Sequence, residues 1–127
     1  MFIEIDASLS QPLFEQIAMQ MKFAIAAGTV RVNEMIPSVR DLARQLAVNP
    51  NTIVRAYRLL QEEAILVPRR GVGLVVAEDS QIECQRQRKE FFKHRFDSFL
   101  EEAARSGLSG GEIEEIIQMQ ETDHRKR

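Results

Sequence analysis

The residues best suited to chemistry on a partner fall in one stretch, Asn49-Pro50-Asn51-Thr52-Ile53-Val54-Arg55. An Asn amide can pair with adenine, a Thr can contact a phosphate or a thymine methyl, and an Arg can engage guanine or a phosphate. Ser38, Arg40 and Arg44 precede this stretch, and Arg69-Arg70-Gly71-Val72-Gly73 follows it. In that run, glycines beside arginines would let a cationic backbone approach a groove closely. Every one of these residues also has a structural use. Asn49 suits a helix cap as well as a base contact, Arg40 and Arg44 suit a solvated helix face, and a glycine-rich turn suits any hairpin.

Catalytic chemistry has no comparable foothold. The chain has no glycine-rich phosphate loop, no Cys/His nucleophile pair and no HExxH run, so no enzyme is expected. Cys84 is the single cysteine, and His94 and His124 are the only histidines, which leaves no disulfide framework, no metal site and no cofactor to expect. Glu101-Glu102 and Glu114-Glu115 read as solvated helix faces.

With 127 residues there is room for one ordinary domain and a modest appendage. A hydrophobic share of 44% with 28% charged residues belongs to a folding globular chain. No stretch approaches the roughly 18 to 20 apolar residues of a bilayer span, and the start lacks a basic segment followed by an apolar run. The expectation is a cytoplasmic protein without a membrane partner. The net charge of −2 hides an uneven distribution. Residues 1–77 carry eight Lys/Arg against seven Asp/Glu, whereas residues 78–127 carry nine against twelve. Between Arg40 and Arg70, six arginines face three acids, a local surplus that suits a polyanion.

The elements that must position these residues are legible from periodicity and caps. Pro12 opens a helix with Leu13, Ile17, Met21 and Ile25 every fourth residue, ending near Gly28. Ser38 with Asp41 starts a short second helix bearing Val39, Leu42, Ala43 and Leu46. Ala47-Val48 connects it tightly to a third, capped by Asn49 and opened by Pro50, with Ile53, Ala56, Tyr57 and Leu60 on one face to about Glu63. A short capped helix, a tight connection and a second helix with polar residues at its start form a helix-turn-helix. Two β-prone runs, Ile65–Val67 and Leu74–Val76, flank the cationic turn and predict a hairpin.

Ser80 with Glu83 reads as a capping box before a long charged helix to Arg105, and Ser109 with Glu112 as a second one before a last helix. Phe92, Phe96, Phe99 and Leu100 on the first of these, with Ile113, Ile116 and Ile117 on the second, are too many apolar side chains for so short a segment to enclose. Two such helix pairs from two chains could bury them together. The expected fold class is therefore mainly α with a small β-hairpin. A winged helix-turn-helix spans residues 10–78, and a two-helix dimerisation segment spans 79–127. Double-stranded DNA is the expected partner, bound by a homodimer. A winged helix used only for protein contacts would share the fold without needing the arginine surplus.

In order and spacing, Pro12-Leu13-Phe14-Glu15-Gln16-Ile17, Ile36-Pro37-Ser38-Val39-Arg40-Asp41-Leu42-Ala43, Val48-Asn49-Pro50-Asn51-Thr52-Ile53, Arg55-Ala56-Tyr57 and Arg69-Arg70-Gly71-Val72-Gly73 resemble the GntR family of bacterial regulators. The Asn-Pro-Asn-Thr and Arg-Ala-Tyr variants, with a short helical tail, resemble its YtrA subfamily in particular. The resemblance implies a phosphate or base contact for Arg40 and contacts at the start of the recognition helix for Asn49, Asn51 and Thr52. It implies wing-tip roles for Arg70, Gly71 and Gly73, with Arg55 as a further contact. It also implies repression of a nearby operon, often one encoding an ABC transporter. A small-molecule effector is not indicated, because the tail shows no obvious cavity; one would have to bind between helices or at a dimer interface. Three positions depart from the family pattern: Val32-Asn33-Glu34 stands for Pro-Gly-Asp, Ala64 for a glycine after the third helix, and Val72 for a wing lysine. Ala64 held at positive φ would cost about 1 kcal/mol against glycine, which predicts a reorganised helix end.

Overall fold

The computed structural model describes residues 3–126, which fall into two compact units divided between Arg88 and Lys89. The elements in order are α1 (Leu13–Ala26), α2 (Val39–Leu46), α3 (Pro50–Glu62), β1 (Leu66–Arg69), β2 (Gly73–Val76), α4 (Ser80–Arg105) and α5 (Gly110–Arg125). The fold is mainly helical with one small antiparallel sheet, as the sequence predicts.

The first unit is built around the stripe that periodicity marks on α3. Ile53, Ala56 and Leu60 are fully buried and Tyr57 nearly so, packed with Ile17, Met21 and Ile25 of α1 and Leu42 of α2. Burying one such aliphatic side chain contributes about 1.5 to 3 kcal/mol, so this stripe sets where α3 lies. The Tyr57 hydroxyl donates to the Pro37 carbonyl at 2.8 Å, tying α3 to the start of α2, and burial pushes its pKa upward.

The β1–β2 hairpin pairs Leu66 with Val76 and Arg69 with Gly73. A third segment joins it: Met35 bridges Val75, and the Asn33 amide donates to the Val76 carbonyl at 2.8 Å. The Ile36 amide donates to Leu74 at 3.0 Å, so β2 is paired on both sides. A segment this short carries no period-2 pattern, and periodicity alone does not find it. At the other end of the unit, Gln16 and Gln20, one turn apart on α1, grip the extended start of the chain. Gln16 accepts from the Asp6 amide and donates to the Asp6 and Gln11 carbonyls, each at 3.0 Å, while Gln20 exchanges bonds with the Glu4 backbone. These amides imitate a neighbouring strand, which allows Gln16 to be 1% exposed.

The first two turns of α4 belong to the first unit. Cys84 is fully buried in the core cluster, and burial pushes its thiol up to about 11. Gln85 donates to the Ala26 carbonyl at 3.1 Å. Lys22 of α1 pairs with Glu63 at 2.7 Å and donates to Gln87 at 2.8 Å, linking α1, the end of α3 and α4. The expected capping box at Ser80 is not what forms. Ser80 already lies inside the helix with its hydroxyl donating back to Ala77, and Glu83 accepts instead from Arg86 and Gln87.

The second unit is the rest of α4 with α5. Ser109 caps α5 with the reciprocal Ser109–Glu112 bonds of a capping box, as predicted. Phe92, Phe96 and Phe99 are 53%, 47% and 42% exposed, and Leu100, Ile113, Ile116 and Ile117 are half-buried. Ala103 is the unit's one buried hydrophobic among the described residues.

Four helices end alike, on a left-handed residue whose neighbours close the last carbonyls. After α1 that residue is Gly28 (φ 79) and after α4 it is Gly107 (φ 97), but after α2 it is Ala47 (φ 55) and after α3 it is Ala64 (φ 59). At α3 the Ile65 amide donates to Leu60 and the Ala64 amide to Gln61, both at 2.9 Å, the bond pair of a Schellman motif. The anticipated reorganisation does not occur. Ile65 and Leu60 are both buried, and that contact holds the alanine in a conformation it disfavours. Relief of the strain should exceed glycine's larger entropy loss. Ala64→Gly, and separately Ala47→Gly, should therefore stabilise the protein by about 0.5 to 1 kcal/mol. The measurement is a higher urea midpoint at unchanged slope; a lower midpoint would show that neither alanine is strained.

Candidate nucleic-acid interface

The start of α3 presents its polar residues because its apolar ones are consumed by the core. With Ile53, Ala56 and Leu60 at zero exposure, Asn51 and Arg55 face solvent and Thr52 is half-exposed. Asn49 is extended, with φ −63 and ψ 133, and its Oδ1 accepts from the Asn51 amide at 2.8 Å. The cap reading of Asn49 is thus realised, and its amide nitrogen stays available. Pro50 takes the first helical position, where a missing N–H costs nothing.

Arg55 is exposed yet held, with its guanidinium carbon over the Phe14 ring of α1 at 4.0 Å from the centroid. On α2, Ser38 spends its oxygen on the Asp41 amide at 3.1 Å as the helix cap. Arg40 and Arg44 are exposed and make no ion pair among the described residues. Leu42 and Ala43 are buried, so α2 turns only its polar side outward.

The hairpin divides its two arginines. Arg69 donates from Nη2 to the Asn33 Oδ1 at 2.8 Å, whereas Arg70 is exposed without an ion pair among the described residues. Gly71 (φ 78) and Gly73 (φ 130) both hold backbone conformations that favour glycine, and a side chain at Gly71 would meet open space. Within the chain, glycine at 71 therefore serves the turn's φ and not a neighbouring side chain. Val72, where the family carries lysine, is 48% exposed. Asn33, in the place of the family's glycine, has φ 67, a conformation Asn tolerates better than most residues.

All ten candidate DNA contacts lie in the first unit. Two are tethered by partners that sequence spacing could not reveal: Phe14 under Arg55 and Asn33 beside Arg69. Each partner is remote in the chain, and only the packing of α1 and of the third sheet segment brings it in. Among the described residues, no group of three or more His, Cys, Asp or Glu could hold a metal, and no helix is long and apolar enough to cross a membrane.

Comparison with known proteins agrees with this geometry. Residues 13–76 match the model of the bacterial regulatory proteins of the gntR family, a region that covers α1 through the hairpin. The transcriptional repressor YtrA of Bacillus subtilis is 31% identical over 91% of this chain and 88% of its own. A GntR family transcriptional regulator from Listeria monocytogenes superposes with a TM-score of 0.74 at 31% identity, over 91% of this chain and 98% of that one. The DNA-binding domain of AraR, solved with its operator ORX1, matches 58% of this chain and 93% of its own, with a TM-score of 0.52 at 26% identity. These relatives are transcription regulators, not enzymes. The chain belongs to the GntR family of bacterial regulatory proteins, is YtrA-like within it, and is a DNA-binding transcriptional regulator.

Proposed function

We propose that the protein is a homodimeric repressor that binds a pseudo-palindromic operator and controls a nearby operon, such as one encoding an ABC transporter. The observation that carries this reading is the start of α3, where Asn51, Thr52 and Arg55 stand outward from a fully buried apolar stripe. In a helix-turn-helix this is the surface that enters the major groove. Arg40 and Arg44, without carboxylate partners among the described residues, add cations that a phosphate backbone can neutralise, and Arg70 at the hairpin tip adds another. The operator-bound AraR domain, which matches 58% of this chain, supports DNA as the partner.

The exposed Phe92, Phe96 and Phe99, with half-buried Leu100, Ile113, Ile116 and Ile117, support dimerisation through the second unit. These side chains are already about half covered within one chain, so each contributes about 1 kcal/mol on further burial, and the sets from two chains together still outweigh the several kcal/mol that association costs. Two-fold symmetry in the protein then calls for an inverted repeat in the DNA. No effector is needed for this reading.

Selection from a random duplex pool should enrich an inverted repeat, with log affinity falling linearly as log salt rises. Absence of an enriched repeat, together with salt-indifferent binding, would end the regulator reading. On the selected duplex, Arg40→Ala and Arg55→Ala should each cost about 1 to 3 kcal/mol of binding and Thr52→Ala less, with unfolding midpoints nearly unchanged. Unchanged affinity in a folded double variant would move the recognition surface elsewhere. The full chain should sediment as a dimer at micromolar concentration. A chain ended after Arg88, which keeps the docked turns of α4, should sediment as a monomer and bind the operator far more weakly. A full chain that sediments as a monomer would refute the dimer.

A further inference from the structure

The contact between Arg55 and Phe14 is not explained by the core. Phe14 is half-buried against the core cluster and leaves a ring face to Arg55, whose guanidinium carbon lies 4.0 Å from the ring centroid. Arg55 is exposed and has no ion-pair partner among the described residues. A guanidinium lying on an aromatic face uses its own flat face, while its five N–H donors radiate in its plane and stay free. An unsupported arginine is spread over many rotamers that a ligand must freeze. The ring removes many of them beforehand, so less freedom is lost when the donors meet their acceptor.

We propose that Phe14 is a positioning residue for DNA binding, holding the Arg55 guanidinium so that its N–H edge meets a backbone phosphate. The inference rests on the DNA-binding reading above and adds a residue of α1 to it. A phosphate suits the geometry because Arg55, although on α3 with Asn51 and Thr52, has its guanidinium held against a ring of α1. A planar fork fixed from outside the recognition helix can clamp the strand without having to follow a base edge.

The test is operator affinity across a salt series for the full-length protein and for Phe14→Leu, Phe14→Tyr, Arg55→Ala and the Phe14→Leu/Arg55→Ala double variant. Unfolding midpoints of each allow affinity to be expressed per folded molecule. Phe14→Leu should weaken binding about two- to fivefold, and Phe14→Tyr, which keeps a ring face, should bind like the parent. Arg55→Ala should lose about tenfold or more uniformly across sequences, and its salt slope should fall by about one. In the Arg55→Ala background, Phe14→Leu should add nothing. Losses that multiply in the double variant, an equal loss in Phe14→Tyr and Phe14→Leu, or an unchanged salt slope in Arg55→Ala would each overturn the proposal. If the parent protein binds no duplex at all, the DNA-binding reading itself fails. If it binds and the cycle is additive, only the positioning role fails.

Discussion

The burial of one face of α3 is the constraint on which the first unit depends. Ile53, Ala56, Tyr57 and Leu60 can leave water only together, and they do so against α1 and α2. Once that face is committed inward, the opposite face has no choice but to carry Asn51 and Arg55 into solvent. The same burial explains why Ala64 stays left-handed: freeing it would expose the Leu60–Ile65 contact, which stabilises more than the strain costs. A Tyr57 hydroxyl with its bond to Pro37 then carries the position of α3 over to the start of α2.

Electrostatics is arranged in two tiers. Where a cation is partly buried it is paired: Lys22 meets Glu63 and Gln87, as a charge taken from water requires. On the candidate interface, Arg40, Arg44 and Arg70 stand without carboxylates among the described residues, while Arg55 and Arg69 are steadied by a ring and an amide. Neither kind of support neutralises the arginine it holds. A surface that keeps its charge uncompensated in this way is weakly stabilised on its own but well prepared for a polyanion. The acidic balance of residues 78–127 explains how the chain can have a net negative charge and still carry such a surface.

Helix α4 serves both units. Its first two turns bury Cys84 and bond through Gln85 and Gln87 to the winged helix, and the same continuous helix then carries the phenylalanines of the second unit. The amphipathic pattern changes partner along the helix, which is why a single stripe cannot be traced through it. Phe96 and Phe99 stack on one another at 6.3 Å between centroids but stay more than two-fifths exposed, so intrachain contacts do not satisfy them.

The helices, their order and most of their limits follow from the sequence alone, because spacing of apolar residues and caps such as Ser38, Asn49 and Ser109 act within a few positions. The polar start of the recognition helix and the surplus of arginine between residues 40 and 70 are equally local, and they identify the candidate interface. Interactions between remote segments are a different matter. The pairing of Asn33–Ile36 with β2, the grip of Gln16 and Gln20 on the first residues, the seat of Phe14 under Arg55 and the docking of Cys84 all join residues with no periodic relation. Ser80 shows the limit of a local rule, since a cap and an acid at the right spacing did not form the box once Arg86 and Gln87 competed for Glu83. Local propensity decides which elements exist. Which side chains are held, and which are left free to meet DNA, is decided by packing between elements.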